Sequence, residues 1–445
     1  MPNNPKPTNF YTMTTRRTFI QKLALAGGFS ANSLFAQAHA ADWAEATARV
    51  APLTPQQAAT DEDYWHLIQQ GYPASSSNIL ILNNGGVSPA PLVVQQALER
   101  YNAMVNQGPS YYMWRILDQG REAVRDKLAL LAGTSAEEIA INRNATEALL
   151  TVIYGLDLQR GDEVIGTLQD YPNIVQAWRQ RAQREGIIYK QLNFTFPIED
   201  DEAIVQEYEK AITPKTKIIH ITHVINWMGQ IMPVQKICRM AQKRGIEVVV
   251  DGAHSFGLLD FKVSELGCDY FGTSLHKFLS APVGTGMLWI KREKIAKIWP
   301  LCSAKPQGDD IRKFETLGTR SFPIEQGIGE ALNFHNAIGT KRKEERIRYL
   351  KNYWAQQVQK LPGVKLHTSL KAAYSCGICG VSIDGMTIQE LEGQLFAKAK
   401  INTSPTVWEN ISCVRITPHV YTSLADLDRL VAAIAQIATT KRKQG

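Results

Sequence analysis

Cysteine is scarce in this chain of 445 residues. Six positions, Cys238, Cys268, Cys302, Cys376, Cys379 and Cys413, are too sparse to define a disulfide framework at this length. The single C-x-x-C, Cys376-Gly377-Ile378-Cys379, has neither a second such pair nor the strand-to-helix setting of a redox site, so apolar filler or a local disulfide is expected. No G-x-G-x-x-G or G-x-x-x-x-G-K-[ST] occurs, which argues against a dinucleotide or nucleoside triphosphate site. No apolar run is long enough for a stable membrane span.

Excess charge is also small. The formal net charge is +7, but the first 40 residues hold Lys6, Arg16, Arg17 and Lys22 and no acid. Without them 45 basic residues face 42 acidic ones, about +3, and nothing in that balance calls for nucleic acid. The basic Lys441 to Lys443 reads as a solvated terminus.

The amino-terminal stretch is informative in its own right. Thr15-Arg16-Arg17-Thr18-Phe19-Ile20-Gln21-Lys22, then a moderately apolar Leu23 to Phe35 and Ala38-His39-Ala40, matches a twin-arginine signal. Cleavage after Ala40, export by the twin-arginine machinery and a bacterial periplasmic location are expected. That route carries folded proteins, so a cofactor could be loaded before transport.

At 44% hydrophobic the remainder suits one large α/β subunit or two closely packed domains. Helical spacing is expected over Pro91 to Val105, Gly120 to Ala132, Ala148 to Leu156, Asn173 to Glu185, Asp200 to Ile212 and Pro233 to Gly245. Strands are expected at Ile79 to Leu82, Ile139 to Asn142, Glu163 to Leu168, Ile187 to Leu192 and Lys217 to Ile225. Gly108 to Arg115 reads as an aromatic loop whose Tyr111, Tyr112, Trp114 and Arg115 either line an entrance or simply pack. Lys341 to Arg348 reads as the wet face of a helix. His220 and His223, three apart on one strand, would face opposite sides of the sheet, so they do not suggest a shared metal.

The chain is organised around two further strands. Ile246 to Val250 runs into Asp251-Gly252-Ala253-His254, and Tyr270 to Leu275 leads into Ser274-Leu275-His276-Lys277. A carboxylate and a lysine would then meet at one edge of a sheet, where open α/β folds bind ligands. Such an Asp can hold a ring nitrogen protonated, and a lysine amine can form a Schiff base with an aldehyde. Gly252-Ala253 would leave room for a planar ring. Asn144-Ala145-Thr146-Glu147, opening a helix, would offer amides and a hydroxyl to a phosphate, although Asn is also an ordinary helix cap. Tyr171, in Asp170-Tyr171-Pro172, could stack on a flat ring.

With these residues the sequence resembles class V of the fold-type I pyridoxal phosphate (PLP) enzymes, which includes aminotransferases, cysteine desulfurases, kynureninases and isopenicillin N epimerase-like proteins. The resemblance carries a fold: a large domain with a mostly parallel central sheet flanked by helices, and a smaller α+β carboxy-terminal domain. Boundaries at 1–40 for the signal, 41–80 for a lead-in, 81–330 for the large domain and 331–445 for the small one follow.

It also implies roles for individual residues. Lys277 would carry the cofactor and serve as base, Asp251 would pair with the pyridine nitrogen, and His254 would contact the phenolic side. Ala145, Thr146, Ser274 and His276 would belong to the phosphate end. Asn226, in His223-Val224-Ile225-Asn226-Trp227-Met228-Gly229, would reach the phenolic oxygen. Phe314-Glu315-Thr316-Leu317-Gly318-Thr319-Arg320 resembles a segment whose hydroxyl completes the partner subunit's phosphate site, so Thr319 implies a homodimer. Asn83-Asn84-Gly85-Gly86 resembles the family's loop into the site. Arg415 would hold a substrate α-carboxylate in two hydrogen bonds.

Desulfurases of the family carry a catalytic cysteine before that arginine, whereas Asn402 to Trp408 has Ser404 and Thr406 and no cysteine. The layout, with its D-G-A-H, favours the isopenicillin N epimerase-like branch. The family also contains twin-arginine-exported enzymes that tailor a glutamyl side chain on periplasmic pyoverdine siderophores. Transamination of an amino acid or peptidic metabolite is the expected reaction. Racemisation or a lyase reaction at Cα is the alternative, and a periplasmic binder without turnover is the alternative of another class.

Overall fold

The computed structural model describes residues 45–301 and 308–444, so the expected twin-arginine segment and Cys302 lie outside the described residues. At its centre is a seven-stranded sheet in the order β2-β8-β7-β6-β5-β3-β4. These are β2 (Ile139–Asn142), β3 (Glu163–Thr167), β4 (Ile188–Leu192), β5 (Thr216–Thr222), β6 (Glu247–Asp251), β7 (Tyr270–Ser274) and β8 (Gly286–Ile290). Only β8 runs antiparallel to its neighbours, β2 and β7.

Alternation along the strands decides which side chain enters which layer. Ile219, Ile221, Val248, Val250 and Phe271 enter one apolar cluster, while Ile218, Val249, Tyr270 and Leu288 enter another. The near-continuous apolar strands of β5 to β7 are those of a sheet covered on both faces. The same alternation separates His220, near Trp178, from His223, which lies against Phe261 with ring centroids 4.9 Å apart. Among the described residues no group of three or more His, Cys, Asp or Glu side chains could hold a metal ion.

A second sheet, β12-β13-β10-β9, is antiparallel and carboxy-terminal, formed by β9 (Val364–Leu366), β10 (Cys379–Ile383), β12 (Ser404–Trp408) and β13 (Ile411–Ile416). The short β1 (Leu80–Ile81) pairs in parallel with β11 (Ile401–Asn402), and Asn83 bridges to Thr417. The entry loop at Asn83 to Gly86 is thereby sewn to the segment bearing Arg415. Among the described residues no helix is long and apolar enough to cross a membrane.

Two expectations are corrected, and one open alternative is decided. Gly108 to Arg115 is not a loop: Gly108 ends the helix Leu92–Gln107, Pro109 at the first position of the next turn restarts it, and Tyr112–Leu117 continues as a π-helical turn. Nor does it form the entrance within this chain, since Tyr111, Trp114 and Arg115 border a separate hollow. The charge run after Lys341 is not a wet face. Lys343, Glu344, Arg346 and Arg348 are all buried on the helix Thr340–Val358, the three cations donating to a carboxylate or carbonyl and Glu344 accepting from Arg348 and the Asp260 amide. Finally, Cys376 and Cys379 are both free thiols, buried in the small domain, so no local disulfide forms.

Candidate active site

Asp251 ends β6, paired beside Gly272 of β7, and Lys277 follows three residues after β7 closes. Both open into one chamber of about 900 Å³ at the carboxyl ends of the parallel strands. Ala145, Thr146, Tyr171, Asn226, His254, Ser274, His276 and Arg415 line it too. Thr319 does not; it is exposed, on the segment the resemblance assigns to the partner's site.

Each side chain is placed by its local fold. Asp251 Oδ1 accepts the Ala253 amide at 2.9 Å, which holds the carboxylate at the end of β6. Ala253 lines the chamber, as room for a ring requires. Gly252 does not, and its reason is different: a Cβ there would lie 1.9 Å from the Phe271 ring. The helix Ala145–Gly155 starts at the chamber, capped by Asn144, whose side chain accepts from the Glu147 amide, and Ser274 Oγ accepts from the Ala145 amide at 2.9 Å. Cap and anion site coexist here, because the positive end of the helix dipole still faces the chamber. His276 Nδ1 lies 3.1 Å from the Thr285 carbonyl, leaving its ring edge along the wall. Tyr171 stands at the mouth, 39% exposed, as the residue before the helix Pro172–Glu185.

Lys277 Nζ lies 3.0 Å from His254 Nε2. Burial lowers the lysine to about 8, with Asp251 opposing and Arg415 adding to the shift. Burial also raises Asp251, against the Ala253 hydrogen bond, and lowers His254, so His254 is neutral beside the amine. Arg415 is brought down to about 10 by burial. Its guanidinium donates to the Asn226 carbonyl at 3.0 Å and to Asn83 Oδ1 at 2.8 Å, and no carboxylate pairs with it among the described residues.

A phosphorylated aromatic aldehyde fits this inventory. Asn226 Oδ1, His254 Nδ1 and Arg415 Nε are buried without a hydrogen-bond partner, and all three residues line the chamber. Buried polar atoms are seldom left so, which makes them a recognition surface. A protonated ring nitrogen against Asp251 would keep that carboxylate ionised despite burial.

Sequence reasoning missed several contributors. Asn83 was read only as part of a loop, yet it orients Arg415; Gly85 sits so close that a Cβ would meet Arg415, Thr417 and His254 within 3.5 Å. Trp227 lines the chamber and stacks on Trp408, centroids 5.7 Å apart, with both indole N–H groups pinned to the carbonyls of Gln169 and Leu168. Glu315 accepts from the Ile141 amide at 2.6 Å and pairs with Arg121 and Arg125, bracing the strand that feeds the phosphate end. Only the pairing of Asn83 with Arg415 had a readable signal, since the resemblance brings the loop and the arginine to one site; the others depend on contacts 58 to 240 residues apart.

Known proteins share this architecture. The family profile described as Aminotransferase class-V matches residues 81–430. A probable cysteine desulfurase of Halalkalibacterium halodurans is 27% identical over 401 residues, 83% of this chain and 97% of its own. Isopenicillin N epimerase of Streptomyces clavuligerus is 26% identical over 374 residues, 80% of this chain and 94% of its own. The apo cysteine desulfurase of Thermococcus onnurineus superposes with a TM-score of 0.74 at 21% identity, covering 84% of this chain and 98% of that one. A complex of the cystine C-S lyase C-DES with its product cysteine persulfide gives 0.74 at 23%, covering 81% and 98%.

Proposed function

The chain belongs to the class-V aminotransferase family of fold-type I PLP enzymes, and from that premise we propose that it acts at Cα of an amino acid or amino-acid-containing metabolite, by transamination, in the periplasm after twin-arginine export. The observation that carries the reading is two side chains lining one chamber: the Lys277 amine, 3.0 Å from His254, and the buried Arg415 guanidinium, which has no acidic partner among the described residues. The first is a nucleophile whose neutral form is brought within reach of physiological pH; the second is a fork shaped for a carboxylate.

When bound, the cofactor supplies the electron sink for the pair released at Cα. The rest falls to this chain. Asp251 holds the ring nitrogen positive, and Asn226 and His254 approach the phenolic side. The start of the helix Ala145–Gly155, Thr146, Ser274 and His276 hold the phosphate, joined by Thr319 from the partner in a homodimer. Arg415 fixes the substrate carboxylate and so orients the Cα–H bond. Lys277, its pKa already near 8, would act as the base that moves the Cα proton, for transamination onto the cofactor's aldehyde carbon. His254 steers the Lys277 amine between these positions.

Sulfur transfer is disfavoured. Ser404 lines the chamber on the segment before Arg415, and no cysteine lines it among the described residues. Cys413 points its sulfur at the Trp227 carbonyl, 3.7 Å away, with its thiol pushed up to about 12 by burial, the wrong state for a nucleophile. Epimerisation is the second reading, favoured by the full-length likeness to isopenicillin N epimerase. Exported tailoring of a peptidic siderophore is the finer version of the first.

Purified protein should absorb visible light, and borohydride should fix a pyridoxyl group on Lys277; a colourless protein that gains none when offered the cofactor refutes the enzyme reading. Keto-acid formation from a panel of amino donors, scored beside deuterium exchange at Cα, separates transamination from epimerisation. Replacing Arg16 and Arg17 with Lys should strand the precursor in the cytoplasm, and normal export of that variant would overturn the location.

A further inference from the structure

The turn that carries Lys277 is gripped from behind. Immediately after the lysine, the Phe278 carbonyl accepts from Lys343 Nζ and lies 3.3 Å from His419 Nε2. Lys343 belongs to the helix Thr340–Val358, and His419 to the segment after β13, so two separate parts of the chain converge on one peptide oxygen. His335, on the helix Phe322–Ile338, lies 3.4 Å from Lys343 through Nδ1 and is itself held by Thr340. The Phe278 ring stacks on His419 at 6.1 Å and 11°, and meets His254 edge-on at 6.5 Å. His254 in turn touches the Lys277 amine. The turn then closes through the Ser280 amide on the Lys277 carbonyl at 3.0 Å, with Ser280 in the left-handed region at φ 59°, a conformation that needs support in a non-glycine residue.

Lys343 is an expensive choice for a mere packing contact. It is 2% exposed and has no acidic partner among the described residues, and a buried amine without a counter-charge works against folding. Methionine would fill the same space without that cost. What methionine lacks is the donor. Resting on the reading of Lys277 as the cofactor-bearing residue, we infer that Lys343 is a positioning residue for Lys277, acting with His419 through the Phe278 carbonyl to aim the amine into the chamber.

The role is geometric, and this makes it separable from a charge effect. Lys343 is not among the groups that shift Lys277, whose causes are burial, Asp251 and Arg415. The measurement is the rate at which cofactor-free protein captures PLP, followed by its visible band across pH. In the wild type this rate should rise through the Lys277 midpoint near 8 to a plateau. Lys343→Met should leave the midpoint in place and lower the plateau by about tenfold to a hundredfold, the scale of a misplaced reacting group. His419→Phe keeps the ring stack and loses the donor, so it should lower the plateau as well, and His419→Gln, which keeps an N–H, should restore most of it. Thermal unfolding establishes which variants are folded; should Lys343→Met give no folded protein, the two His419 variants decide. A folded Lys343→Met or His419→Phe with the wild-type plateau overturns the inference, and so does a moved midpoint at an unchanged plateau. A wild type that captures no PLP removes the Lys277 reading itself.

Discussion

The helix Thr340–Val358 and the chamber around Lys277 both bury several charged side chains, and they treat them differently. On the helix, Arg346 pairs with Glu62, Arg348 with Glu344 and the carbonyls of Ala372 and Ser375, and Lys351 with Ser375 Oγ at 2.8 Å. The network around Glu315 follows the same rule, two buried arginines on one buried carboxylate. In the chamber, Arg415 and Lys277 have no ion pair among the described residues, and His254 and Asn226 keep orphaned atoms. Burial makes both arrangements costly to disturb, but only the second leaves charge for a molecule from outside. A missing partner, more than charge itself, marks the functional region.

The sharpest break of that comparison is at the chamber's amine. Lys277→Ala should abolish the borohydride-fixed pyridoxyl group and lower turnover by about 10⁴-fold or more, since nucleophile and base are lost together. Its melting temperature should match or exceed the wild type, because an unpaired buried amine has gone. Glu315→Ala tests the other side. Removing the carboxylate leaves the Ile141 amide unbonded and reduces Arg121 to Glu325 and Asp118 and Arg125 to Glu122, so roughly 1–3 kcal/mol of stability should be lost in denaturant unfolding. Stability unchanged by Glu315→Ala would erase the distinction between the two regions. Arg415→Met should reverse that pattern: a fold at least as stable, and kcat/KM down about 100-fold, close to 3 kcal/mol for one charge-assisted contact to a carboxylate.

That contrast also explains what could be read in advance. Strand ends at Asp251 and near Lys277 and the capped helix at Asn144 sit in local patterns whose period and punctuation survive in a single sequence, whereas the arginine at 415 was reached through the family resemblance. Strands β2 to β7 followed from the same patterns, because apolar runs such as Ile246 to Val250 admit few other environments. The charge run at Lys341 to Arg348 misled for a physical reason. Its partners, Glu62 and the carbonyls of Phe278 and Ser375, lie tens to hundreds of residues away, and local composition carries no trace of them. Gly252 was assigned the right neighbourhood and the wrong cause, since it is the Phe271 ring that a Cβ there would strike. Pro109 was a legible restart signal inside the aromatic stretch, and weighing it would have made that stretch helical.

The smallest expected effect concerns pH, and it divides the buried cations of one helix. Burial brings Lys343 down to about 7, whereas Arg346, paired with Glu62, remains a fixed cation. Between that value and the usual lysine value the unfolded chain holds a proton that the folded chain has released. Stability therefore rises with pH across this window as far as Lys343 is concerned, and the penalty stays constant below about 7. The slope from one such group is at most about 1.4 kcal/mol per pH unit. Lys343→Met removes the group from both states, so its stability advantage over the wild type should be greatest at neutral pH and shrink toward pH 9. Arg346→Met, which exchanges a cation charged in both states, should differ from the wild type by a pH-independent amount. Parallel curves for Lys343→Met and the wild type would mean that Lys343 stays charged in the folded protein and that burial has not lowered it.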